Sequence, residues 1–227
     1  MRLTERDRDA IAAAVAEVET RTSGEVVCVL AERVSRYREI PLAWASAAAL
    51  LLPPLMVALG LRPLSVSALL GEWVVGHASA LDNAVVLAIA GYAVLQGVVF
   101  AAVGLLTGLA PVRRMLTPGA MKARRVREAA RRHYLATGLP LSEQRTGVVI
   151  FASFDDRRVE IVADPLIDEN GGEAAWAKAV AAVTSGMRRG QPGAGFVEAV
   201  RICGDALAQH FPDDDGANRM PDRPVEL

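Results

Sequence analysis

At 227 residues the chain has room for one compact domain and little more, yet 52% of its residues are hydrophobic and its mean hydropathy is +0.26. Charged residues still reach 22%, so the apolar excess must be gathered in part of the chain. A formal net charge of -1 removes any global argument for nucleic-acid binding.

Met1 to Thr22 is charged and lacks the apolar core and small-residue cleavage site of an export signal, so membrane passage falls to internal segments. Thr4-Glu5-Arg6-Asp7 reads as a helix start, with a Thr cap and carboxylates near the positive end of the dipole. Ile11, Val15 and Val18 form one apolar face at helical spacing, and Gly24 is the expected stop. Val26 to Leu30 is a continuous Val-rich run, which predicts a strand buried on both faces.

Pro41 to Leu61 and Asn83 to Leu109 carry no charge, and each supplies the roughly 20 residues that a bilayer core requires. Pro53-Pro54 predicts a kink in the first. In the second, Gly104 and Gly108 have the spacing that lets helix backbones approach closely. Basic residues precede the first run (Arg2, Arg6, Arg8, Arg21, Arg33, Arg36, Arg38) and follow the second (Arg113, Arg114, Lys122, Arg124, Arg125, Arg127, Arg131, Arg132). Only Arg62 lies between them. This bias predicts both termini in the cytoplasm of a two-span protein. The connection from Arg62 to Asp82, with Glu72, Trp73 and His77, is then an interfacial segment on the other side.

Thr117-Pro118 opens a helix that runs to Ala136 and stops at Gly138-Leu139-Pro140, its arginines forming a solvated or headgroup-facing surface. Val148 to Phe154 and Val159 to Ala163 read as strands joined through the turn Asp155-Asp156-Arg157, with Glu160 toward solvent on an edge strand. Helices at about Gly172 to Arg189 and Ala194 to His210 follow, and the acidic tail beyond Pro212 reads as disordered. Cys28 and Cys203 sit in apolar patterns far apart, which predicts buried free thiols unless the fold pairs them.

The whole reads as an α/β fold: a small mixed sheet with helices on both faces, interrupted by a two-helix transmembrane hairpin. Residues 1–39 and 111–211 build the domain, 40–110 the hairpin and 212–227 the tail. Strands on either side of the hairpin can share a sheet only if both lie on one side of the bilayer, which two spans allow.

The order helix, Thr-Ser-Gly, buried strand and then Gly147-Val-Val-Ile-Phe-Ala-Ser-Phe-Asp-Asp-Arg-Arg-Val-Glu-Ile-Val162 resembles the TPM domain, shared by a thylakoid lumen protein, a photosystem repair factor and a worm receptor modulator. Leu3 to Ala31, Lys122 to Ala163 and, more loosely, Trp176 to Phe211 carry the likeness, above all to short bacterial membrane members with a helix pair after the first strand. The resemblance implies a three-layer α/β/α fold and a family whose bacterial members mostly lack an assigned reaction. Some members are reported to bind calcium or to hydrolyse phosphate esters. It therefore implies a calcium or other divalent-cation site at Asp155, Asp156 and Asp164, with Glu143 and Asp168 as further oxygen donors at the strand ends. Two places depart from the family pattern, Gln144-Arg145-Thr146-Gly147 before the second strand and Ala163-Asp164-Pro165 after the third.

No Walker loop, dinucleotide turn, GxSxG, HExxH or Cys-His arrangement occurs, and His133 and His210 lie among apolar neighbours on helices. The first expectation is thus a membrane-anchored interaction or envelope-maintenance module without an enzymatic site. The alternative is a divalent-cation-dependent phosphatase centred on the Asp155-Asp156 turn, and transport ranks last because neither span carries a charge. The partners expected are the lipid bilayer, another membrane or envelope protein and a second copy as homo-oligomer, with no nucleic acid.

Overall fold

The computed structural model describes residues 3–60, 80–137, 146–169, 172–212 and 222–226, so Arg62, Glu72, Trp73, His77 and Glu143 lie outside the described residues. It divides into two compact units, one of Met1–Arg36 and Gly119–Leu227, the other of Tyr37–Pro118.

The first unit opens with α1 (Glu5–Glu19), started by a reciprocal cap: the Asp7 amide donates to Thr4 Oγ1 at 3.2 Å and the Thr4 amide to Asp7 Oδ2 at 2.9 Å. The helix ends at Thr20, not at Gly24, because the Thr20 amide reaches Ala16 O and its hydroxyl donates to Glu17 O at 2.7 Å. Gly24 serves a different purpose: a Cβ there would stand 3.0 Å from Leu207 Cδ1 and 3.1 Å from Thr146 O.

Strand β1 (Glu25–Ala31) runs parallel to β2 (Gly147–Ser153) over seven pairs, from Glu25–Gly147 to Ala31–Ser153. β2 then pairs antiparallel with β3 (Arg158–Ala163). At the other edge, β4 (Val225–Glu226) lies parallel to β1, giving the order β3-β2-β1-β4. The last described residues of the tail thus form a short edge strand. Arg8 grips Glu226 at 3.0 Å and Arg223 reaches Asp9 at 3.1 Å, which holds the strand on the sheet.

Alternation along β1 and β2 divides the core in two. Val26, Cys28, Leu30, Val148, Ile150 and Ala152 face α1, α7 (Gly172–Arg189) and α8 (Pro192–His210). Val27, Val29, Val149 and Phe151 face α5 (Gly119–Ala136) through Val126, Ala130 and Tyr134. The unit is therefore a mixed sheet between two helical layers, and full burial of each large aliphatic or aromatic side chain is worth about 1.5–3 kcal/mol. Cys28 and Cys203 are both buried and free. Glu160 is only partly open to solvent, bound to Arg127 of α5 at 2.6 Å.

The second unit contains α2 (Glu39–Ala58), α3 (Ala80–Gly108) and the short α4 (Ala110–Leu116). Pro53 and Pro54 lie inside α2. Small residues let α2 and α3 meet: Ala45 and Ala49 are buried, and a Cβ on Gly104 would come 3.7 Å from that of Ala45. Gly108, the other member of the glycine pair, has nothing within 4 Å of such a Cβ. Both helices are long and apolar enough to cross a membrane, and little of them is covered: 22% of Glu39–Met56 is buried, and in Ala88–Gly108 only Thr107 is.

Candidate functional site

Open α/β sheets place their binding groups beyond the carboxyl ends of parallel strands. Here that edge is formed by the segments leaving β1 and β2, which stay paired past the strands: the Phe154 amide donates to Ala31 O and the Asp155 amide to Glu32 O, each at 3.0 Å. The pairing sets Arg33 beside Asp155, and Arg33 Nε donates to Asp155 Oδ2 at 2.7 Å. One step away, Ser153 Oγ donates to Asp156 Oδ2 at 2.8 Å, both residues being buried. Arg157 then takes a left-handed φ of 50° to turn the chain into β3. Arg125 of α5 completes the edge, donating to Ser35 Oγ at 2.8 Å.

Two open depressions border Arg33. One, of about 440 Å³, is lined by Glu32, Arg33, Val34, Ser35 and Arg36. The other, of about 280 Å³, lies among Ala31, Arg33, Val34, Arg132, His133 and Phe151. The His133 ring sits 5.6 Å from that of Phe151.

Of the residues expected to hold a cation, Asp155 and Asp156 come together and Asp164 does not join them. Asp164 follows the far end of β3, roughly 20 Å away at about 3.3 Å per strand residue. There it caps α6 (Pro165–Glu169): its Oδ1 accepts from the Leu166 amide at 3.1 Å and its Oδ2 from the Tyr134 hydroxyl at 3.3 Å. Asp168 stands in α6 at that same end. A hard cation needs several oxygens around one centre. Asp155 is engaged by a guanidinium, Asp156 by a hydroxyl, and no group of three His, Cys, Asp or Glu among the described residues is arranged to hold a metal. Among the described residues, Asp155 and Asp156 belong to an ion-paired, hydrogen-bonded edge and are not gathered with a third ligand into a cation site.

Arg33 belongs to no recognisable motif spacing; its place just after the buried strand β1 is what brings it to this edge. A further acidic group lies on the other side of the sheet, where Glu19 Oε2 is buried without a hydrogen-bond partner. Burial first, then Asp222 and Glu25 nearby, push the Glu19 carboxyl up to about 7. Burial also pushes the Cys28 thiol up to about 12.

No family model and no curated protein matches the chain. Among solved structures it is similar to the NMR structure of the BA42 protein from the psychrophilic bacterium Bizionia argentinensis, with a TM-score of 0.55 and 14% identity over 100% of this chain and 97% of that one. At that identity the likeness concerns the fold alone.

Proposed function

We propose that the chain is a membrane-anchored module of TPM-like fold, held by α2 and α3 as a two-span hairpin, whose α/β domain engages another membrane or envelope protein on the cytoplasmic side. The exposure of the apolar helices carries this reading. Leu50, Leu51, Leu55 and Leu59 on α2, and Val94, Val98, Leu105 and Leu106 on α3, are all more than half exposed. In water such a surface is a severe liability; in lipid it is the expected one. The seven-pair register of β1 with β2 adds support, because it joins the strands before and after the hairpin in one sheet. The excess of Lys and Arg outside the spans supports cytoplasmic ends.

Alkaline carbonate extraction of native membranes tests the anchor. The chain should remain with the lipid, and release into the soluble fraction would sink the reading. Crosslinking in those membranes, with Arg33→Glu as comparison, tests the interaction edge: a specific partner should be captured and weakened by the substitution. A cation-dependent phosphatase at Asp155-Asp156 draws no support from the geometry, and divalent-dependent turnover of a generic phosphomonoester would revive it.

A further inference from the structure

We infer that the outer face of α5 is a docking surface for an anionic lipid bilayer, an inference that rests on the membrane-anchored reading. Helix α5 carries six basic residues, Lys122, Arg124, Arg125, Arg127, Arg131 and Arg132, against one acidic residue, Glu128. Its inner face is spent on the sheet through Val126, Ala130 and Tyr134. Arg124, Arg127 and Arg131 follow one another at spacings of three and four, so they share one side of the helix, flanking the buried face. All three are exposed, and Arg127 is held by Glu160. Arg124 and Arg131 carry no ion pair among the described residues. Leu135 continues the same row and is 67% exposed, an apolar side chain placed among guanidiniums.

A basic row with one protruding aliphatic residue matches a bilayer surface on both counts. Guanidiniums bind lipid phosphates, and the leucine enters the boundary of the acyl chains. Position in the chain favours the same occupant. Helix α5 opens shortly after α3 ends, with Arg113 and Arg114 of α4 between them. If α3 spans the membrane, α5 meets lipid headgroups at an effective concentration that no soluble polyanion matches.

The full chain is tested in nanodiscs of phosphatidylcholine, with and without phosphatidylglycerol. A fluorophore is placed at Leu135→Cys; the native Cys28 and Cys203 are buried and do not compete for the label. Quenching by a lipid-borne quencher should be several-fold greater in the anionic discs, fall with added salt and disappear in Arg124→Gln/Arg131→Gln. Circular dichroism checks that this variant is folded. A label at Ala16→Cys, exposed on α1 in the opposite layer, should stay in water in both discs. Equal quenching in the two lipids, in a chain that resists carbonate extraction, overturns the docking surface and leaves the anchor standing. Release by carbonate removes the anchor and this inference with it. Shielding of the label only on addition of an RNA homopolymer or an acidic polypeptide also overturns the lipid assignment.

Discussion

Glu19 ends α1 with one carboxylate oxygen buried and unpartnered, close to Asp222 and Glu25. Its folded pKa lies above its ordinary value of 4.5, at about 7. The proton is thus bound more tightly in the folded state. Its contribution is fully present below pH 4.5 and is lost as pH rises through 7. Glu19→Gln should therefore stabilise the protein at pH 8 and change little below pH 4.5. The side chain is only about half buried, so after allowance for solvent screening the gain is on the order of 1 kcal/mol. Denaturant midpoints at both pH values check this, and an equal effect at each would reject it. At the sheet edge, Asp156→Ala should cost about 1–3 kcal/mol because Ser153 Oγ loses its buried acceptor. Calcium or magnesium added to the wild-type protein should leave its unfolding midpoint unchanged. A divalent-dependent rise that disappears in Asp155→Asn would restore a cation site there.

Helices α7 and α8 cross where their backbones nearly touch. A Cβ at Gly195 would stand 2.9 Å from Ala182 O and 3.1 Å from Val183 Cα, and one at Gly186 would meet the Gly195 Cα at 2.8 Å. Backbone cannot yield as a side-chain tip does, so Gly195→Ala should cost about 1–3 kcal/mol by overpacking. Gly97→Ala, with nothing within 4 Å, is the control and should be neutral or stabilising by up to about 1 kcal/mol through helix propensity. Thermal unfolding of both variants decides it. This crossing was invisible beforehand, since nothing in Gly186 or Gly195 announces which helix will lie across it. The same limit explains the other gaps. β1, β2, β3, α7 and α8 were legible because each carries its own apolar periodicity. β4 was not, because Val225-Glu226 becomes a strand only by meeting the edge of β1 and the side chain of Arg8. Asp164 looked like a ligand candidate because a cap and a ligand use the same carboxylate, and only the register placed it at the wrong end of the hairpin.

For the molecule as a whole, the two units make different demands on their surroundings, and the chain enters and leaves the first unit at a single edge. Ser35 is bound to Arg125 of α5, and Gly119 lies beside Arg158, whose strand begins opposite Ser153. A short linker in place of Tyr37–Pro118 should then leave the sheet intact. The closed loop becomes nearly an order of magnitude shorter, which lowers its closure cost by about 2 kcal/mol. Removing α2 and α3 also removes the long exposed apolar faces. The joined domain, Met1–Arg36 followed by Gly119–Leu227, should be soluble without detergent, unfold cooperatively and leave Cys28 and Cys203 unreactive until denaturant is added. Thiol counting along a urea titration reads all three properties. Cysteines that react at once would mean that the hairpin does more than anchor, and that the sheet forms only while the hairpin holds the two halves of the domain together.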